Sequence, residues 1–102
     1  MRILLIAYEH SKLRHDYSNF FDQIKEFSHA KVTERGYLIK TTMSPKKIYN
    51  ELRKSIGSKG DTLIVMSISK IYKGHGPDNL MDWISRNIYS RPMGFISRFF
   101  KK

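Results

Sequence analysis

GYLIKTTMSPKKIYNELR, residues 36–53, changes its period part-way through. Up to Thr42 the side chains alternate: Tyr37, Ile39 and Thr41 fall on one side, and Leu38, Lys40 and Thr42 on the other. That is the pattern of an extended strand. After Ser44-Pro45 the spacing becomes four, through Ile48, Leu52 and Ile56, with Tyr49 beside them. Apolar positions one turn apart make the stripe of an amphipathic helix. Serine accepts from the free N–H groups of a first turn, and proline at the first helical position gives up a donor that has no partner there. Gly57 supplies a stop. A strand therefore passes directly into a helix in mid-chain, and the flanking segments decide the fold.

On the N-terminal side, AKVTERGYLIKTT (30–42) reads as two strands or one bent pair. Val32 and Thr33 favour extended backbone, and Arg35-Gly36 marks a break or bulge. Further back, Tyr17, Phe20, Phe21, Ile24 and Phe27 recur at helical spacing. Asp16 is expected to cap this helix, which should end near Ser28. RILLIAY (2–8) is a continuous apolar run and predicts a central strand buried on both faces. On the C-terminal side, Lys59-Gly60-Asp61 precedes TLIVMSI (62–68), which predicts a second strand of the same kind.

The resulting order is β-α-β-β-α-β within the first 68 residues. This predicts the α+β class and a ferredoxin-like βαββαβ sandwich with both helices on one face of the sheet. The other face is expected to meet a second copy of the chain or the C-terminal third. Beyond it, SKIYKGHGPDN (69–79) reads as a loop, with room for a short strand at Lys70–Tyr72. Gly76-Pro77-Asp78 then starts a helix whose apolar face is Leu80, Met81, Trp83, Ile84 and Ile88, and Arg91-Pro92 ends it. In MGFISRFFKK, Phe95, Ile96, Phe99 and Phe100 recur at helical spacing as a C-terminal helical extension. The expected organisation is one domain over 1–88, with a basic aromatic tail over 89–102 packed on it or extending from it.

Bulk properties narrow the functional classes. The chain has 102 residues, of which 40% are hydrophobic and 13% aromatic, so it should fold around one modest core. Zero cysteines exclude a disulfide scaffold and a thiolate zinc site, and they fit a cytoplasmic location. No apolar run approaches the ~20 residues of a membrane span, and the N-terminus does not read as a signal peptide. The net charge is +10 and uneven. Residues 1–51 hold nine Lys/Arg against six Asp/Glu, and residues 52–102 hold ten against three. After Asp82 there is no acid. Such an excess points to a polyanionic partner, with nucleic acid ahead of other acidic surfaces.

Several segments together resemble a known family. IAYE closing the first strand, DYSNFFDQI, GYLIKTTMSPKKIYNELR, DTLIVMSI and WISRNI look like the small SinR-like proteins, which are similar to the CRISPR-associated Cas2 proteins. The resemblance covers roughly residues 1–88. It implies a ferredoxin-like fold and a homodimer formed by packing two sheets. In that family some members are metal-dependent nucleases with an Asp at the end of the first strand, and others hold DNA without catalysis. Here the matching position is Glu9. Glutamate is one methylene longer, which displaces a bound ion from the geometry that metal-assisted cleavage needs. Glu9 is thus the one catalytic and metal candidate. No cofactor is expected unless the nuclease reading holds, in which case it is Mg²⁺ or Mn²⁺.

The residues themselves offer a cluster, Glu9, His10, His15 and Asp16, in YEHSKLRHDY (8–17). A catalytic zinc needs three converging ligands, and H-E-x-x-H is absent. Lys12 and Arg14 in the same loop oppose a cation and suit a phosphate. Lys40, Lys46 and Lys47 flank the start of the second helix, where anions are favoured, and Arg53, Lys54 and Lys59 continue the basic region. Lys70, Tyr72 and Lys73, with two glycines and His75, combine charge with a ring that can stack on a base. Arg91 and Arg98 put charge on the tail. No Gly-x-Ser-x-Gly elbow or dinucleotide loop is present.

The expected function is a basic, dimeric, Cas2-like nucleic-acid-binding protein with weak or no catalysis. The alternatives are a metal-dependent endonuclease using Glu9, and a non-enzymatic regulator or inhibitor, of phage or mobile-element type, that engages a protein through the sheet face or the tail.

Overall fold

The computed structural model describes residues 1–11, 15–57, 60–68 and 73–88. The chain divides into two compact units, Met1–Ser69 and Lys70–Lys102. In the first, β1 (Arg2–Glu9) is followed by α1 (Ser18–Lys25), β2 (Ser28–Thr33), β3 (Gly36–Thr41), α2 (Pro45–Leu52), a 3-10 turn (Arg53–Ser55) and β4 (Thr62–Ser67). In the second, α3 spans Asp78–Asn87. The class is α+β. The tail 89–102 and the short strand considered at Lys70–Tyr72 lie outside the described residues.

The four strands form one sheet in the order β2-β3-β1-β4, and each neighbouring pair is antiparallel. β1 takes an inner place because its side chains are apolar on both sides: Ile3, Leu4 and Ile6 are all buried. α1 links β1 to β2 past the intervening β3, and α2 links β3 to β4 past β1. Both helices lie on one face. Leu4, Ile6 and Tyr8 of β1 and Tyr37 and Ile39 of β3 form a single core with Phe20 and Ile24 of α1 and Ile48 and Leu52 of α2. The alternation read in residues 37–42 therefore holds, with Tyr37 and Ile39 turned to the helices.

β4 corrects one expectation. The run TLIVMSI predicts burial on both faces, but among the described residues β4 has a strand neighbour on one side only and stands at the edge of the sheet. Leu63 and Val65 pack against the core, while Ile64 is 47% and Met66 45% exposed. An apolar run reports a preference for burial and not how many neighbours the strand finds.

The helix ends differ from expectation too. Asp16 is not the N-cap of α1. Tyr17 holds that position, and the Ser18 N–H donates to Asp16 Oδ1 at 2.9 Å from two residues away. The carboxylate still satisfies a first-turn donor, one residue earlier than read. α1 ends at Lys25, before the expected Ser28, and Ser28 already opens β2. Phe27 continues the helical stripe in sequence but reaches the core from the connection. At α2 the punctuation holds: the Lys47 N–H donates to Ser44 Oγ at 3.2 Å, and Pro45 opens the helix. Its last turn tightens into the 3-10 turn, so Ile56 lies beyond it in extended backbone.

AKVTERGYLIKTT is two strands, with a register irregularity between Lys31 and Thr33. Gly36 opens β3 opposite Ala7, where a Cβ would stand 3.1 Å from Thr33 Oγ1. In the second unit Leu80, Ile84 and Ile88 are buried, as their spacing predicts. No helix among the described residues is long and apolar enough to cross a membrane.

Phe20→Ala should lower stability by about 3–5 kcal/mol and Ser44→Ala by about 1 kcal/mol, whereas Ile64→Thr at the exposed edge should change it by less than about 0.5 kcal/mol. Urea unfolding measures all three. Equal losses for Phe20→Ala and Ile64→Thr would place the core wrongly.

Candidate functional site

Asp61, the residue before β4, has a fully buried side chain. A carboxylate removed from water must be met by donors. Ser11 supplies two, its backbone N–H and its hydroxyl, both 2.8 Å from Oδ1. The Tyr17 hydroxyl stands 2.9 Å from Oδ2 and 3.1 Å from Oδ1. The Gly57 N–H reaches Oδ2 at 2.6 Å. Burial pushes the Asp61 carboxyl up, but the hydrogen bonds from Ser11, Gly57 and Tyr17 outweigh it and hold the group well below the usual carboxylate range.

This arrangement gives Gly57 a different role from the one read in sequence. None of the glycines among the described residues has a positive φ, so Gly57 is not a left-handed helix stop. A Cβ there would lie 2.7 Å from Tyr17 Oη and 3.2 Å from Asp61 Oδ2. Glycine is required by close approach.

His10 sits beside the carboxylate. Its ring stacks on Tyr17 at 3.6 Å between centroids and 11° between planes, and on Tyr8 at 4.9 Å and 27°. Nδ1 is 3.8 Å from Asp61 Oδ2, too far for a hydrogen bond, and both ring nitrogens are buried without a hydrogen-bond partner. Burial lowers the His10 pKa; Asp61 opposes that shift and His15 adds to it. His15 Nε2 lies 3.2 Å from the Ser55 carbonyl oxygen, and the Ser55 hydroxyl donates to Gln23 Oε1 at 3.1 Å. Proton transfer requires hydrogen-bond reach, which His10 and Asp61 lack. What the cluster does is fasten the end of β1, the start of α1 and the segment after the 3-10 turn to the start of β4.

Glu9 takes no part in it. It is exposed at the end of β1, opposite Thr62. Among the described residues no three His, Asp or Glu side chains are grouped to hold a metal ion.

Among the described residues of the first unit, the basic candidates are spread over different elements. Lys12, Arg14, Lys59, Lys70, Tyr72, Arg91 and Arg98 lie outside the described residues. Lys46 and Lys47 are exposed in the first turn of α2. Lys40, expected beside them, follows Ile39 in β3 and so belongs to the face turned away from the helices. Lys54 pairs with Glu51 at 3.7 Å, and Arg53 is exposed. Lys73 is exposed ahead of α3, in the second unit.

One concave feature gathers cations that the sequence reading did not single out. An open cavity of about 400 Å³ is lined by α1, the β2–β3 hairpin and the end of β1, with Lys25, Lys31 and Arg35 around it and Tyr8, Tyr37, Phe21 and His10 within it. The Tyr8 hydroxyl donates to the Glu34 carbonyl at 3.2 Å. Burial pushes its pKa up to about 12, with Tyr37 and Glu34 adding and Arg35 opposing, so it remains a neutral donor.

No protein-family model, curated protein or solved structure matches this chain.

Two outcomes follow from the cluster. Asp61→Asn turns an amide nitrogen toward donors and should cost about 2–3 kcal/mol in urea unfolding; a change no larger than that of the exposed Asp16→Asn would show that the carboxylate holds nothing. The lowered pKa of His10 means that, as pH falls, the unfolded chain takes up the proton first. Its contribution is complete above the unfolded value, about 6.5, and is lost as pH falls through the lower folded value. Asp61 behaves likewise from about 3.9 downward. Stability should therefore decline below about pH 6.5 in the wild type and decline less there in His10→Phe. Parallel pH profiles would remove His10 as the cause.

Proposed function

We propose that this protein is a small, basic, ferredoxin-like and Cas2-like nucleic-acid-binding protein, dimeric and without strong catalysis. The observation that carries the reading is unpaired positive charge. The chain has 19 Lys/Arg against nine Asp/Glu, and among the described residues the one Lys or Arg side chain ion-paired with a carboxylate is Lys54. Cations left unpaired are available to phosphates, and releasing the counterions of nucleic acid supplies the binding free energy. The strand order β2-β3-β1-β4, with two helices on one face, supports the ferredoxin-like assignment. Half-exposed Ile64 and Met66 on the edge strand support a second copy as partner.

The second reading, a Mg²⁺- or Mn²⁺-dependent endonuclease, is favoured by the exposure of Glu9 at the end of β1. Its longer side chain speaks against the geometry of phosphodiester cleavage, and non-catalytic binding is the conclusion here.

Binding to labelled duplex and single-stranded DNA and RNA, titrated with salt, tests the proposal. With ~6 phosphate contacts, affinity should fall about 10³-fold between 50 and 200 mM salt. Undetectable binding at low salt would end the proposal. Cleavage with Mg²⁺ or Mn²⁺ that disappears in Glu9→Gln, with folding intact, would replace it by the nuclease reading. Met66→Lys should shift a dimer toward monomer in sedimentation.

A further inference from the structure

We infer that the cavity between α1 and the β2–β3 hairpin is a nucleotide site, taking one nucleotide either free or as a unit of a single strand. The assignment rests on the nucleic-acid reading above and names the place and the ligand unit. Lys25, Lys31 and Arg35 converge on it from three elements: the last turn of α1, β2 and the turn before β3. All three are exposed, and none has an ion-pair partner among the described residues. Glu34, also a lining residue, offsets one of them. The remaining excess of two matches a single phosphate group better than a polyphosphate.

The inner surface is aromatic. Tyr37, Tyr8 and His10 form a row of near-parallel rings, with 16° between the first pair and 27° between the second. Phe21 stands edge-on to Tyr8 at 5.5 Å. A cavity of about 400 Å³ falls in the range of small-molecule sites and admits a base and its sugar. Apolar aromatic surface next to cations matches a base attached to a phosphate. It fits an acidic peptide less well, because a carboxylate has no flat apolar surface to set against half-buried Phe21. Duplex DNA cannot use the inner surface, because its bases are stacked inside.

The full-length protein serves for the test. The probes are a labelled oligothymidine of about a dozen nucleotides, a duplex of the same length, uridine and adenosine monophosphates followed by NMR shifts, and an oligoglutamate competitor. The double variant Lys31→Ala/Arg35→Ala is compared with Lys46→Ala/Lys47→Ala on α2, circular dichroism checking the fold of each. The expected result is at least about a tenfold loss of oligothymidine affinity in the first variant and a smaller loss in the second. The slope of log affinity against log salt should fall by about 0.7 for each cation removed from the site. Monophosphates should shift amides of Lys31, Arg35 and Tyr37. Oligothymidine binding unchanged in Lys31→Ala/Arg35→Ala overturns the site and leaves the nucleic-acid reading standing, as does displacement by oligoglutamate as effective as by monophosphate. Monophosphate binding that is lost in this variant, without strand binding by the wild type, keeps the site and overturns the nucleic-acid reading. Binding of none of the probes overturns both.

Discussion

A carboxylate without water must collect donors, and Asp61 collects them from two places: the β1–α1 connection, where Ser11 and Tyr17 lie 50 and 44 positions away, and Gly57, only four positions before it. Ser11 follows β1, Tyr17 precedes α1, and Gly57 follows the 3-10 turn. The β1–α1 connection and the segment after the 3-10 turn are held by the same two oxygens. The constraint spreads outward from there. Gly57 has to lack a side chain because Tyr17 Oη occupies the space. Tyr17, fixed by its hydroxyl, offers its ring to His10, and His10 continues the stack to Tyr8 in the core. A polar anchor and an aromatic row are thus one structure, and the row ends at the wall of the cationic cavity. Losing any one donor leaves a buried charge poorly compensated, which costs more than the bond itself contributes.

The sheet imposes the other constraint. Four strands give two inner places and two edges, and the longest apolar run takes an inner place because both of its faces want burial. β4 is nearly as apolar but stays at the edge, with Ile64 and Met66 half-exposed. Edge strands with apolar outer residues favour association, and a basic chain limits it by repulsion between like charges.

Much of the fold was legible because it rests on local chemistry. The alternation of residues 37–42, the stripe of Ile48 and Leu52, and the Ser44-Pro45 start depend on neighbours within four positions, and each is seen in the structure. Helix ends were less legible. Phe27 keeps the helical spacing but packs, partly buried, on the core from the connection, because a core accepts a side chain from whichever element delivers it. The site was hardly legible at all. The Glu9, His10, His15 and Asp16 cluster drew attention by composition, yet the structure sends Glu9 to solvent, Asp16 to Ser18 and His15 to Ser55. Asp61 stood in the sequence only as the residue before TLIVMSI, and its partners Ser11 and Tyr17 are 50 and 44 positions away.

Sequence by itself determined the order of elements, the α+β class, the helix-facing residues of β3 and the excess of positive charge, since all of these follow from period, capping and composition. Tertiary structure alone decided that β4 is an edge, that Gly57 serves a contact and not a turn, that Asp61 is the anchor, and that Lys25, Lys31 and Arg35 share one cavity. The physical reason is range. Propensity and period act over a few residues, whereas burial of a charge, and the meeting of cations around a groove, depend on which distant segments the sheet brings side by side.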